Sequence, residues 1–241
     1  MELSVVIPVF NEHENIGPLL DEIGRAIHPG VHYEIIVVDD GSGDGTADVL
    51  ARLRRDNPRL RVIRHPVNRG QSAALVTGVV AARSPWVVTL DGDGQNDPQD
   101  IGRLLTVCGQ EGFLRLDRLI TGLRRQRNDD FIRRASSRIA NAVRARLLRD
   151  DCPDTGCGLK LFPRDVFLAL PRFDHMHRFL PALFRSHGCR VIPVDVNHRP
   201  RLRGVSKYGM FDRLWVGIVD LLGVMWLQRR SCQAEAREVG P

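Results

Sequence analysis

Two aspartates separated by one glycine, Asp91-Gly92-Asp93, are the residues in this chain best suited to do chemistry. They leave a short β-branched, apolar run, Trp86-Val87-Val88-Thr89-Leu90, of the kind that forms a buried strand. Side chains at i and i+2 of an extended segment lie on one side. Asp91 and Asp93 can therefore converge on one point, where two like charges need a cation between them. Carboxylate oxygens are hard ligands, so Mg²⁺ or Mn²⁺ suits the pair, with phosphate oxygens completing the shell. Taken alone, the same residues make an ordinary surface turn, for which Asp and Gly are favoured. The company the pair keeps decides between the two readings.

The preceding chain alternates strand and helix patterns. Residues 3–9, 33–38, 60–63 and 86–90 read as buried strands. A helix follows the first, capped by Asn11 or Asn15, with Ile16, Leu19, Leu20 and Ile23 on its apolar face. A second runs through Val49, Leu50 and Leu53, a third covers 71–82 after Asn68-Arg69-Gly70, and a fourth begins after Pro98. Strands apolar almost throughout and alternating with helices imply βαβ units, hence an α/β fold with a mostly parallel sheet sandwiched by helices. Ligands of such sheets sit at the carboxyl ends of the strands. Asn11-Glu12, Asp39-Asp40, Asn68-Arg69 and Asp91/Asp93 all fall there.

Past residue 110 the alternation weakens. Residues 117–123 read as a strand, 175–187 as a helix and 190–196 as a strand, with a basic loop over 198–209. Residues 131–148 form an amphipathic helix whose polar face carries Arg133, Arg134, Arg138, Arg144 and Arg146, mostly a solvated face. Residues 210–227 form an apolar helix interrupted by Asp212, Arg213 and Asp220 and closed by Arg229-Arg230. Trp215, Trp226 and these arginines suit an amphipathic helix at a bilayer interface, against the plainer reading of core packing. The expected organisation is one domain over 1–209, this helix over 210–230 and a polar tail over 231–241.

Bulk composition narrows the partners. The chain has 241 residues, 43% of them hydrophobic, and a net charge of +6, enough apolar material for a core and a bias toward anionic partners. Five cysteines at 108, 152, 157, 189 and 232 show no CxxC or His-paired spacing, which argues against disulfide and zinc frameworks and for a reducing cytosol. No basic and apolar leader opens the sequence, and no run of 18 apolar residues suits a membrane span. The run Gly41-Ser42-Gly43-Asp44-Gly45 meets neither the dinucleotide fingerprint nor a P-loop ending. An EF-hand loop starting at Asp40 would place Ala51 where the bidentate Glu belongs, which excludes it. A strand-end loop remains, whose Asp39 or Asp40 can accept hydrogen bonds from a nucleobase. A nucleic-acid-binding module is suggested by charge alone and lacks aromatics interleaved on the basic face.

Together these motifs resemble a known family. Pro8-Val9-Phe10-Asn11-Glu12, Val38-Asp39-Asp40-Gly41-Ser42, Asn68-Arg69-Gly70 and Asp91-Gly92-Asp93-Gly94-Gln95, in that order, are similar to the inverting family-two glycosyltransferases of the GT-A fold. Asp154-Thr155-Gly156 and the segment Arg201 to Tyr208 resemble the branch acting on dolichyl or polyprenyl phosphate, the mannosyl and glucosyl synthases. The resemblance covers roughly residues 3–228. It implies that Pro8, Phe10 and Glu12 wall the nucleoside, that Asp39 and Asp40 contact base and ribose, and that Asp91, Asp93 and Gln95 hold Mg²⁺ or Mn²⁺ on the diphosphate. It further implies that Arg201, Ser206 and Lys207 close over the diphosphate and the acceptor phosphate, and that Arg134 and Ser137 grip the acceptor phosphate. Family members with extra transmembrane hairpins continue well past this point, so no flippase-like or oligomeric membrane role is expected; the expected location is peripheral, on the cytoplasmic face of the membrane. Gly94 stands where many relatives carry an apolar residue.

The expected reaction is transfer of a hexose of the mannose or glucose type from a GDP or UDP sugar to a polyprenyl phosphate, with inversion. A phosphate monoester, with a second pKa of roughly 6, arrives already nucleophilic, so arginines matter more than a base. Asp154 is the one further carboxylate in the motifs and would position acceptor or sugar. The alternative is transfer to a glycan or lipid hydroxyl, which needs a carboxylate base. No Gln-x-x-Arg-Trp sequence of the processive synthases is present.

Overall fold

A computed structural model describes residues 2–110, 112, 115–124, 144–150, 152–200 and 211–230, with the backbone alone for 211–215. Strands β1 (Glu2–Val9), β2 (His32–Asp39), β3 (Leu60–Arg64) and β4 (Trp86–Thr89) alternate with helices α1 (Ile16–Ala26), α2 (Thr46–Asp56) and α3 (Gln71–Ala81). Then come α4 (Asp100–Gln110), β5 (Arg118–Arg124), β6 (Lys160–Pro163), α5 (Arg164–Ala169), α6 (Leu180–Ser186), β7 (Arg190–Val196) and α7 (Phe211–Arg229). The sheet order is β3-β2-β1-β4-β6-β5-β7. β1 pairs in parallel with both β2 and β4, and β5 in parallel with β7. Among the described strands only β6 runs antiparallel to its neighbours β4 and β5.

Alternation explains why both faces are covered. On β1, Leu3, Val5, Ile7 and Val9 join one buried cluster with α1 and α4, whereas Val6 joins the other with α3, α5 and α6. On β2, Ile35 and Val37 face the first layer, and Ile36 and Val38 the second. α3 lies close on the sheet because Gly78 has no Cβ, which would otherwise collide with the Val6 side chain. Order reverses between β1 and β4, since β2 and β3 lie to one side of β1 and β4 to the other. Such a switch point leaves a crevice at the carboxyl ends of the strands.

Several expectations change. β6 was not anticipated, since four residues including a lysine carry no strand periodicity. The single helix expected over 175–187 is a 3-10 turn at Met176–Arg178 followed by α6. His175 has a φ of 61°, and Pro181 in the first turn of α6 suits a fresh start, where its missing N–H costs nothing. Asn15, and not Asn11, takes the N-cap position of α1, but it makes no side-chain cap bond: its amide donates to Glu12 Oε2 at 2.6 Å. Of the helix expected over 131–148, residues 144–148 are helical and 125–143 lie outside the described residues.

α7 packs one side on the second core layer through Val224, with Leu221 and Met225 beside it. Its outer side leaves Ile218, Val219, Leu222 and Trp226 exposed, the last two at 60% and 62%. Among the described residues no helix is long and apolar enough to cross a membrane.

Candidate active site

The crevice at the switch point is lined from one end by Pro8, Phe10 and Glu12 of the β1 exit. Asp40, Asn68 and Gln71 follow, then Asp91, Asp93 and Gln95 at the floor, and Thr155 to Gly158, Lys160, His177 and Arg178 beyond. Among the expected site residues, Pro8, Phe10, Glu12, Asp40, Asp91, Asp93 and Gln95 thus come together. Asp39 lies beneath and does not line the crevice. Arg134, Ser137, Arg201, Ser206 and Lys207 lie outside the described residues.

The loops after β1 and β2 are stitched to one another. Asn11 N–H donates to Ser42 Oγ (2.9 Å), Gly43 N–H to Asn11 Oδ1 (2.9 Å) and Glu12 N–H to Thr46 Oγ1 (3.0 Å). Burial alone would raise the Asp44 carboxyl, but hydrogen bonds from Thr46 and His13 outweigh it and hold the group down to about 2. Fully buried Asp39 accepts from Ser42 N–H at 2.9 Å and lies 3.3 Å from Arg64 Nε. Asp40 accepts from the backbone N–H groups of Arg69 (2.9 Å) and Gly70 (2.8 Å) and meets His65 Nδ1 at 2.7 Å. It thereby fixes the 68–70 turn that opens α3. Gly41 is needed at that junction, because its φ is 74° and a Cβ would sit 2.7 Å from Asn68 N.

At the floor, Asp91 N–H donates to Asn96 Oδ1 (3.0 Å) and its Oδ1 accepts from Gln71 Nε2 (2.8 Å). Asp93 Oδ1 accepts from Gln95 N–H at 3.1 Å, which closes the turn. Burial first, and then the Asp93 charge, push the Asp91 carboxyl up to about 6, against the opposing pull of Lys160 and Arg124. Such a pair is short of positive charge. Two carboxylates and the Gln95 amide oxygen are hard donors, few enough that Mg²⁺ or Mn²⁺ would keep sites for phosphate oxygens, so the residues fit the ion. Among the described residues no group of three or more His, Cys, Asp and Glu surrounds a single point. Gly158 passes so close to Asp91 that a Cβ there would collide with all three carboxylate atoms.

Beyond the pair, the 154–158 loop is clamped by cations. Arg124, at the end of β5, grips Asp154 through two hydrogen bonds of 2.7 Å. Burial would lower the Arg124 pKa, but the Asp154 partnership raises it. Lys160, only 4% exposed, donates to the carbonyls of Thr155 (3.2 Å) and Cys157. Arg144 meets Asp150 (3.1 Å), the Cys152 carbonyl (2.6 Å) and Thr155 Oγ1, so it is a half-buried clamp and not part of a solvated face. On the far edge, Asn96 forms a bridge with His198, Arg199 N–H donates to Gln95 O (3.0 Å), and Arg199 binds Asp97 (2.7 Å) and Glu22 (2.5 Å). The chain therefore enters the basic 201–207 segment from the edge of the Asp91/Asp93 loop. Sequence reasoning missed Gln71, Arg124, Lys160, His177 and Arg178. Gln71 directly follows the Asn68-Arg69-Gly70 motif and Arg124 ends a strand, which are the signals that could have found them.

A mixed sheet with its crevice at the switch point and a carboxylate pair on the β4 exit defines a GT-A architecture, and comparison with solved structures agrees. Glucosyl-3-phosphoglycerate synthase of Mycobacterium tuberculosis, solved with Mn²⁺, uridine diphosphate and phosphoglyceric acid, superposes with a TM-score of 0.69 at 19% identity, over 97% of this chain and 80% of that one. A mannosyltransferase of Pyrobaculum calidifontis, solved with GDP-mannose and Mn²⁺, gives 0.66 at 21% identity over 97% and 65%. The model of glycosyl transferase family 2 matches residues 4–170, and the chain belongs to that family. It is 37% identical over 235 residues to a dodecaprenyl-phosphate galacturonate synthase of Rhizobium johnstonii, covering 95% of this chain and 68% of that protein. It is 36% identical over 211 residues to an undecaprenyl-phosphate 4-deoxy-4-formamido-L-arabinose transferase of Edwardsiella ictaluri, covering 86% and 63%. The chain thus spans about two thirds of the length of these relatives.

Proposed function

We propose that this protein transfers a sugar from a nucleoside diphosphate sugar to a polyprenyl phosphate at a membrane surface, with inversion. The observation that carries the reading is the Asp91/Asp93 pair on the β4 exit, with its raised Asp91, in a crevice walled by Pro8, Phe10 and Glu12. The names of the two relatives support the acceptor. Their sugars, a galacturonate and a formamido-arabinose, are not of the mannose or glucose type, so the donor is proposed only as a nucleoside diphosphate sugar.

In this reading Pro8, Phe10, Glu12 and Asp40 take the nucleoside, and Asp39 acts from beneath by holding the 39–42 turn. Asp91, Asp93 and Gln95 would hold a divalent cation, which when bound offsets charge on the departing diphosphate. An oxygen of the acceptor phosphate attacks the anomeric carbon from the face opposite the diphosphate. The carbon–oxygen bond to the nucleoside diphosphate breaks, and that group leaves with the electron pair. No proton has to be removed from a phosphate dianion, so Asp154, already paired with Arg124, is a positioning residue and not a base. Arg134, Ser137, Arg201, Ser206 and Lys207 keep the phosphate-binding roles that the motifs imply. The exposed apolar side of α7 would rest on the bilayer, at headgroup depth through Trp226.

The test is incubation with vesicles containing undecaprenyl phosphate and a panel of radiolabelled UDP and GDP sugars, followed by lipid extraction. Label in the lipid phase that requires the phosphate and disappears with undecaprenol supports the reading. Equal use of undecaprenol overturns it in favour of a hydroxyl acceptor.

A further inference from the structure

The 3-10 turn Met176–Arg178 brings His177 to the crevice, although no motif includes it. Its backbone N–H donates to Ser72 Oγ at 3.3 Å, and its ring Nδ1 lies 2.7 Å from the same oxygen. Ser72 is buried in the first turn of α3. Among the described residues its hydroxyl proton has no acceptor other than Nδ1, and a buried unpaired donor is costly. Nδ1 is therefore the acceptor, and the ring's own proton resides on Nε2. Nε2 has no hydrogen-bond partner among the described residues. Burial, followed by the charges of Arg178, Lys160 and His175, lowers the ring to about 3, so it stays uncharged at neutral pH.

Position indicates what the Nε2–H meets. β6 lies across β4 from β1, and Lys160, which opens β6 opposite Thr89, lines the crevice together with His177 and acts on its ring. Ser72, which holds the ring, follows Gln71, the residue bound to Asp91, so His177 stands beside the Asp91/Asp93 pair on the β6 side. Starting from the nucleoside, whatever lies past the diphosphate-binding pair is the group attached to the distal phosphate. An uncharged donor matches a neutral sugar oxygen, and the diphosphate is better served by the cations nearby.

We infer that His177 donates its Nε2–H to an oxygen of the transferred sugar, with Ser72 as the positioning residue that fixes the tautomer, and that His177 is not a base. This rests on the proposed reading that the crevice takes a nucleoside diphosphate sugar. The experiment compares binding of UDP-galacturonate and of UDP, in Mn²⁺, to wild type, His177→Phe, His177→Gln and Ser72→Ala; GDP-mannose and GDP replace them if only that sugar is transferred. His177→Phe keeps a ring but loses the donor, and should weaken the sugar nucleotide about tenfold with no change for the bare nucleotide. His177→Gln, whose amide N–H reaches a similar position, should restore most of that loss, and it remains informative if the Phe variant does not fold. Ser72→Ala should weaken sugar-nucleotide binding in wild type and add nothing in the His177→Gln background. The kcat–pH profiles of wild type and His177→Gln should superimpose between pH 6 and 8. Equal weakening of nucleotide and sugar nucleotide, or a loss of kcat beyond about a hundredfold in the Gln variant, as expected for a lost base, overturns this inference alone. A wild type that binds and transfers no sugar nucleotide overturns the proposed function and this inference with it.

Discussion

Gly158→Ala probes the most crowded contact in the crevice. A Cβ at this position would collide with Cγ, Oδ1 and Oδ2 of Asp91, so something must move. If the carboxylate swings away, it leaves Gln71 Nε2, now at 2.8 Å, and the proposed cation site is misaligned. If the backbone at 158 recedes instead, the Thr89 Oγ1 bond to the Gly158 carbonyl, now 2.7 Å, is stretched. One such hydrogen bond contributes about 1 kcal/mol, and overpacking costs about 1–3 kcal/mol. The melting temperature of a chain this size should then fall by roughly 4–16 °C, at about 2–4 °C per kcal/mol. A displacement of a ligand group by about 1 Å can cost on the order of a hundredfold in turnover. Gly102→Ala is the control, since nothing lies within 4 Å of a Cβ on that exposed position of α4, and the change should be neutral or stabilise by up to ~1 kcal/mol. Differential scanning fluorimetry and Mn²⁺ titration followed by electron paramagnetic resonance read both effects. Wild-type melting and wild-type Mn²⁺ affinity in Gly158→Ala would refute the placement of Asp91 against this glycine.

Asp91, raised to about 6, holds a proton in the folded protein that the unfolded chain has already released. Without metal, stability should therefore fall as pH rises from the ordinary carboxylate range through about 6, and Mn²⁺ affinity should climb over the same interval. Asp93→Asn removes a repelling charge and should shift that climb to lower pH while weakening the site, as Mn²⁺ titrations at pH 5 and 7.5 would show. Asp154→Asn breaks a buried pair and leaves Arg124 uncompensated, at a cost on the order of 3 kcal/mol, yet the acidic limb of the kcat–pH profile should keep its midpoint. A lost limb would make Asp154 the base. Leu222→Glu with Trp226→Glu changes side chains that are mostly exposed, so the melting temperature should hold while co-sedimentation with anionic vesicles drops; unchanged co-sedimentation would remove α7 from the membrane.

The parallel half of the sheet was legible because each strand carries a continuous apolar run and ends in polar residues of the site. Glu12, Asp40 and Asp91 share the crevice for that reason: the register of β1, β2 and β4 brings their exits to one edge. The antiparallel β6 was not legible, since it is a four-residue strand opened by Lys160 whose role is set by what lies beside it. That lysine and Arg124 come from segments far apart in sequence, and the pairing of β6 with β4 on one side and β5 on the other makes them neighbours of Asp91. Asp154 shows the same limit from the other direction. Its motif marked it as a site residue, but its partner, Arg124, lies thirty residues earlier, and the partnership decides what the carboxylate can do. A carboxylate gripped by two guanidinium N–H groups has both its oxygens engaged in the clamp. An acceptor that is already an anion asks for no base, so the crevice can use Asp154 to fix the loop that carries Gly158 past Asp91.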